Sequence, residues 1–249
     1  MFIDTHCHLE KEYYNDISKV INDSFNNNVK KLIVSGCEKE KIDEVVELIG
    51  KYDNIYATVG YHPDQASIIL DSDIDKLKEL LKNKKIVGVG EIGLDYHYGK
   101  DNKDKQIELF RKQLKLASDA KIPVVIHTRD ATKDTIDILK EYNVSGVIHC
   151  FGGSLEVANI YINMGYKLGI GGVVTFKNSK LKEVLKNISI NDIVLETDSP
   201  YLAPVPYRGK QNSPEYIPII AEFIADIYGI KLEEVGNITS NTASSIYKI

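Results

Sequence analysis

Arginine is scarce in this chain, paired cysteines are missing, and long apolar runs do not occur. Only Arg111, Arg129 and Arg208 are present among 249 residues, so nearly all the positive charge is lysine. Three cysteines with no CxxC spacing exclude a disulfide framework and fit a reducing compartment, so a cytoplasmic location is expected. No stretch approaches the ~20 apolar residues of a membrane span, and the N-terminus lacks the basic and apolar regions of a signal peptide. A net charge of −5 leaves no broad basic face for coating nucleic acid. It does not exclude a phosphodiester held at a metal site, where the metals themselves are the cations. No low-complexity linker and no internal repeat divides the chain, so residues 1–249 are expected to form a single domain. No phosphate-binding glycine loop follows an early strand, which argues against a doubly wound open sheet.

What is present is a regular alternation of short β-branched runs with amphipathic stretches. Eight segments read as strands: 1–8, 31–36, 55–60, 86–91, 123–127, 144–149, 166–171 and 193–198. Between them, Ile107, Phe110, Leu114 and Ala117 are spaced as one helix face. Ser213-Pro214-Glu215 reads as an N-cap with proline at the first helical position, ahead of a buried stripe of Ile217, Ile220, Ile224 and Ile227. Eight β/α alternations imply a parallel sheet closed into a (β/α)8 TIM barrel, with extra helices at the C-terminus.

The chemistry-bearing residues cluster at the ends of these runs. The chain opens with Asp4-Thr5-His6-Cys7-His8. A strand's side-chain period of two puts His6 and His8 on one face, poised to grip an ion, with Cys7 turned away as a small buried residue. Glu91, His127, His149 and Asp198 end four later runs. A single histidine at a strand end is usually a satisfied core or surface residue, but six ligand types from five strand ends of one barrel point at a common place. Six ligands exceed one tetrahedral ion and suit two divalent ions bridged by Glu91. His6, His8, Glu91 and Asp198 are assigned to the first ion, and Glu91, His127 and His149 to the second. The histidine-rich set suits Zn, Mn or Ni better than Mg. Asp4 and Glu196 share strand parity with His6 and Asp198, and either orient ligands or form a hydrogen-bonded layer beneath them. Arg129 and Arg208 are either ordinary loop charges or forks for phosphate or carboxylate near the site, and His62 follows the third strand as a phosphate contact or a turn residue. Tyr61, Tyr96, Tyr98 and Phe151 either stack on bases at the rim or pack the loops.

The segments DTHCHL, VGYHPD, VGEIGLDYH, PVVIHTRDA, VIHCFGG, GIGGVVTFKNS and LETDSPYLAP, followed by RGKQNSP, resemble the TatD-type deoxyribonucleases, in matching order along essentially the whole chain. The resemblance implies a metal-dependent nuclease on a TIM barrel, often trimming single-stranded DNA from the 3′ end. It further implies that His62, Arg129, Lys177 and Arg208 approach the substrate. In a two-metal reaction Glu91 and Asp198 are the catalytic carboxylates, with Asp198 as proton acceptor. An ester, amide or lactone hydrolase on the same barrel, acting for example on aminoacyl-tRNA, is the alternative. Many such enzymes bridge their metals with a carboxylated lysine ending strand four, where this chain has Glu91. A metal-stabilised binding module is a third reading. A monomer with no obligate protein partner is expected.

Overall fold

All eight apolar runs become strands. In chain order they are β1 (Phe2–Cys7), β2 (Val29–Gly36), β3 (Ile55–Val59), β4 (Ile86–Asp95), β5 (Val124–Arg129), β6 (Gly146–Ile148), β7 (Lys167–Ile170) and β8 (Ile193–Leu195). The computed structural model, which describes residues 1–99 and 101–249, joins them in one sheet in the sequential order β1 to β8. Their registers are parallel, and parallel neighbours require crossover connections. These are supplied by α1 (Ile17–Asn26), α2 (Ile42–Lys51), α3 (Asp71–Leu80), α4 (Lys103–Ala120), α5 (Thr132–Leu139), α6 (Leu155–Asn163) and α7 (Leu181–Leu185). Helices α8 (Ile217–Tyr228) and α9 (Leu232–Tyr247) complete the chain. The fold is a (β/α)8 barrel. Among the described residues, no helix is long and apolar enough to cross a membrane.

Two strand ends, those of β4 and β8, differ from the sequence expectation by more than two residues. Strand β4 does not end at Glu91 but continues to Asp95, pairing Gly93 with His127 and Asp95 with Arg129. A carboxylate inside a buried run reads as a boundary, but here the run continues because glycine follows. Gly93 has φ +150°, and a Cβ there would lie 1.9 Å from the His127 carbonyl oxygen, so only glycine lets β5 come this close. Strand β8 stops at Leu195, leaving Asp198 three residues beyond it.

Contacts divide the chain into two compact units, Met1–Val34 with Cys150–Ile249, and Ser35–His149. In the first unit β8 returns beside β1. Thr5 Oγ1 donates to the Leu195 carbonyl at 2.9 Å, and the Asp198 N–H donates to the His6 carbonyl at 3.0 Å. Helix α9 packs on both strands. In α8, Ile217, Ile220 and Ile224 are buried as the spacing predicts, while Ile227 is only half-buried. Ser213 makes no side-chain cap and opens a short 3₁₀ turn, Pro214–Tyr216, ahead of the helix.

In the second unit α4 buries Phe110, Leu114 and Ala117 as expected, but also Gln106 and Gln113. Each glutamine amide clamps the main chain of one segment. The Asp95 N–H donates to Gln106 Oε1 and Gln106 Nε2 donates to the Asp95 carbonyl, both at 2.9 Å. Gln113 grips Tyr61 in the same way, at 2.7 and 3.0 Å. Seven residues are two helical turns, so one face of α4 holds both. Buried polar groups are tolerated when every hydrogen bond is made, and these amides satisfy main-chain groups that have left the sheet ladder.

Asp4 is part of a hydrogen-bonded layer that joins β1 to the segment after β8. Its Oδ1 accepts from the N–H groups of His6 and Thr197 at 3.2 and 3.1 Å, and its Oδ2 accepts from Thr197 Oγ1 at 2.6 Å. It thereby latches the segment after β8 onto β1. Burial pushes its pKa up from 3.8 to about 8, against the opposing pull of those hydrogen bonds. An unfolded Asp carboxyl releases its proton near ~3.9. Between about pH 4 and pH 8 the folded chain therefore binds a proton that the unfolded chain does not. Stability contributed by this group is full below the unfolded value and declines as pH rises towards 8, by at most ~1.4 kcal/mol per unit. In Asp4→Asn, which keeps the shape and an acceptor, the metal-free protein should lose less stability than the unsubstituted one between pH 5 and pH 8. Urea unfolding at both values checks this; parallel losses contradict it.

Candidate metal centre

In the first unit, β1 and the turn after β8 bring His6, His8 and Asp198 together. His6 lies inside β1 and His8 just after it. Their Nε2 atoms face one another at 3.2 Å. Asp198 Oδ1 lies 3.7 Å from His6 Nε2 and 3.5 Å from His8 Nε2. Asp198 adopts φ +53°, a left-handed conformation that Asp tolerates better than most residues. Donor atoms bound at ~2.0–2.1 Å to a tetrahedral ion sit roughly 3.3–3.4 Å apart, and the triangle of 3.2, 3.5 and 3.7 Å brackets that spacing. Two imidazoles and one carboxylate, buried and converging, suit a divalent metal. Cys7 is fully buried and donates its thiol to the Ile33 carbonyl, so it faces away as expected.

The second unit gathers Glu91, His127 and His149. Glu91 Oε1 lies 2.6 Å from His127 Nδ1 and 3.6 Å from His149 Nε2. His62 Nε2 stands 4.0 Å from the same oxygen, and its ring packs edge-on to His127 with centroids 4.5 Å apart. His62 is also the turn residue of its second reading, because its Nδ1 accepts from the Asp64 N–H at 3.3 Å. These three ligands again offer the nitrogen and oxygen donors of a metal site, and they lie close enough together to share an ion.

Asp95 is a site residue that the sequence reading missed. Its Oδ2 is 3.1 Å from His127 Nε2, on the far side of the ring from Glu91. Burial works against charging His127, yet the hydrogen bonds to Asp95 and Glu91 outweigh it and raise the pKa to about 9. Burial likewise opposes ionisation of Asp95, but bonds from His127 and the His97 N–H hold its pKa below the usual carboxylate value. The His127 ring thus stands between two carboxylates, Glu91 at Nδ1 and Asp95 at Nε2. Were a metal held by Nδ1, Asp95 would hold the Nε2–H, the arrangement that fixes a metal-bound imidazole. The signal available in the sequence was position: Asp95 stands four residues after Glu91, once β4 is known to continue.

The remaining expected residues separate. Glu196 is fully buried, and its Oε1 accepts from the Cys150 N–H at 2.5 Å. It fills the space that Gly169 leaves, where a Cβ would meet Glu196 Oε2 at 2.1 Å. Arg129 lies over the Tyr98 ring at 5.4 Å, and Arg208 over the Phe176 ring at 4.4 Å. Lys177 is exposed beside Phe176. The stacking role offered for Tyr61, Tyr96 and Phe151 is overturned, since they are buried. Tyr61 donates its hydroxyl to the Asp73 carbonyl and Tyr96 to Asp134, so both pack loops. Tyr98 alone of the four is well exposed.

Known proteins resemble this chain along its whole length. The metal-dependent hydrolase YabD of Bacillus subtilis is 43% identical over 254 residues, covering 100% of both chains. The metal-dependent hydrolase YcfH of Escherichia coli K12 is 32% identical, over 99% of this chain and 96% of its own. The crystal structure of YjjV, a TatD homologue from Escherichia coli K12, superposes with a TM-score of 0.94 at 30% identity, covering 100% of this chain and 98% of that one. Residues 3–248 match the family of TatD-related DNases, and the chain belongs to that family.

Proposed function

We propose that the protein is a metal-dependent phosphodiesterase that trims single-stranded DNA from an end, using two divalent ions held by His6, His8, Glu91, His127, His149 and Asp198. The observation that carries this is the His6–His8–Asp198 donor triangle, whose edges match the ligand spacing of a metal ion. Membership of the TatD-related DNases supports DNA as the substrate. Glu91 is assigned to both ions because its carboxylate has two oxygens and one already faces two histidines.

Divalent ions held by these residues would activate a water and offset charge on the phosphoryl oxygens. The chain's own residues do the rest. Asp198 takes the proton from the attacking water as a new P–O bond forms and the bond to the leaving 3′-oxygen breaks. Asp95 holds the His127 ring so that Nδ1 faces Glu91. His62, Arg129, Lys177 and Arg208 approach the phosphates. An acidic chain with no extended basic stripe binds a short strand terminus better than it tracks a duplex.

An end-labelled single strand compared with a covalently closed circle of the same sequence tests the reading, in Mn or Mg and again with chelator. The linear strand should shorten stepwise, the circle should survive, and chelation should stop the reaction. Equal cutting of the circle overturns end-directed cleavage. Preference for an aminoacyl ester offered alongside transfers the chemistry to the ester-hydrolase reading.

Glu91→Gln should remove nearly all hydrolysis and lower the bound metal, measured by elemental analysis, from two ions per chain. Near-normal turnover with two ions retained contradicts its shared role. Asp95→Ala should weaken metal affinity by about 10–100-fold, the usual cost of losing the group that orients a ligand histidine. Calorimetric titration of the metal-free protein with Mn or Zn reads it directly, and unchanged affinity returns Asp95 to a loop residue.

A further inference from the structure

The two loops following β7 and β8 in the first unit differ in charge from the chain as a whole. Residues 171–182 carry Lys177, Lys180 and Lys182, and residues 199–214 carry Arg208 and Lys210. Neither segment contains a single Asp or Glu, in a chain whose net charge is −5. The two are pinned together where the Arg208 guanidinium sits 4.4 Å from the Phe176 ring centroid. Lys210 stands 5.9 Å from the Tyr207 ring, which is itself stacked face to face on Tyr216 at 4.5 Å. These loops form a lysine- and arginine-bearing rim backed by aromatic rings.

On the same rim an aromatic side chain is held out beside the metal ligands. Tyr201 is 49% exposed, three residues after Asp198. Its ring lies 6.3 Å from the His8 ring, edge to face. Its hydroxyl donates to the Tyr13 hydroxyl at 2.8 Å, and the Tyr13 ring meets it edge-on at 5.8 Å. Tyr13 is in turn anchored by Gln211 Nε2, which donates to its carbonyl at 2.5 Å. Asn212 Nδ2 donates to the Tyr201 carbonyl at 2.6 Å and to the Thr197 carbonyl at 2.8 Å, tying the loop to the segment that carries Asp198. An exposed tyrosine with this many braces is pre-ordered, so little freedom is lost when a flat ring settles on it. The loop's other exposed apolar groups, Leu202 and Val205, extend the patch.

We infer that Tyr201 is the stacking platform for the nucleobase next to the reacting phosphate, and that the acid-free loops 171–182 and 199–214 carry the phosphates of the following nucleotides. This rests on the nucleic-acid reading above. It adds a base-contacting residue and a direction: the strand leaves the centre on the side of His8 and Asp198.

The test uses the whole chain freed of metal by chelation, so that no cleavage occurs. Fluorescence anisotropy reads its binding to a six-nucleotide single strand and to the same strand with a base-free spacer at each of its two terminal nucleotides in turn. The unsubstituted protein should bind one spacer strand about 5–100-fold more weakly than the full strand, the range expected for one stacked base. Tyr201→Ala should bind both strands alike. Tyr201→Phe, which keeps the ring and loses only the hydroxyl bond, should restore the discrimination. Lys210→Ala should flatten the salt dependence of binding by roughly 0.7 in log–log slope, the value for one phosphate contact on a single strand. If the unsubstituted protein discriminates and Tyr201→Ala discriminates equally, the platform is refuted while the nucleic-acid reading stands. If it binds no oligonucleotide and, once metal is restored, hydrolyses none, both fall together. An unchanged slope in Lys210→Ala overturns the strand path.

Discussion

Two imidazole nitrogens facing one another at 3.2 Å form the contact that the rest of the first unit must sustain. Without a cation or a shared proton between them their lone pairs repel, and the Asp198 carboxylate adds negative charge to a site with little water. Burial of such a group is unfavourable unless it is paired or bound to metal. The surrounding structure supplies the rigidity this demands. Asp4 fastens the chain after β8 to the chain of β1 through two hydrogen bonds from Thr197, and accepts a third from the His6 N–H of its own strand. Asn212 donates to the Thr197 and Tyr201 carbonyls and so fixes the turn that carries Asp198. A donor cluster assembled from residues nearly 200 positions apart is thereby held by the chain's own hydrogen bonds.

The second unit solves the same problem with a helix. Gln106 and Gln113 on α4 hold the chain at Asp95 and Tyr61. Asp95 then holds His127, and Tyr61 precedes His62. Both histidines sit beside Glu91. The order of dependence runs from helix face to loop main chain to imidazole ring, with each bond fixing the orientation of the next group.

The strands and their order were legible in the sequence because β-branched runs of period two and helices of period 3.6 leave a strong pattern. Residue types that bind metals are also rare enough to notice at strand ends. What the sequence hid were roles decided by burial. Gln106 and Gln113 carry no mark of their role, because nothing local distinguishes an amide facing water from one facing a strand end. Asp95 was obscured by the assumption that a charged residue, Glu91, ends a strand. The two readings of the tyrosines stayed open for a related reason: aromatic rings look alike in sequence whether they line a rim or pack beneath it. Tyr61 and Tyr96 lie beneath, and Tyr201 lies on the surface.

Helix α4 also acts as a ruler. Seven residues at ~1.5 Å each set a span of roughly 10.5 Å between its two amide clamps. One inserted or deleted residue between Gln106 and Gln113 would turn one clamp about 100° away from its partner and release either Tyr61 or Asp95. Length variation among descendants of this chain is therefore barred from that stretch. The helix interior, usually the most replaceable part of a barrel's outer ring, is here among the least.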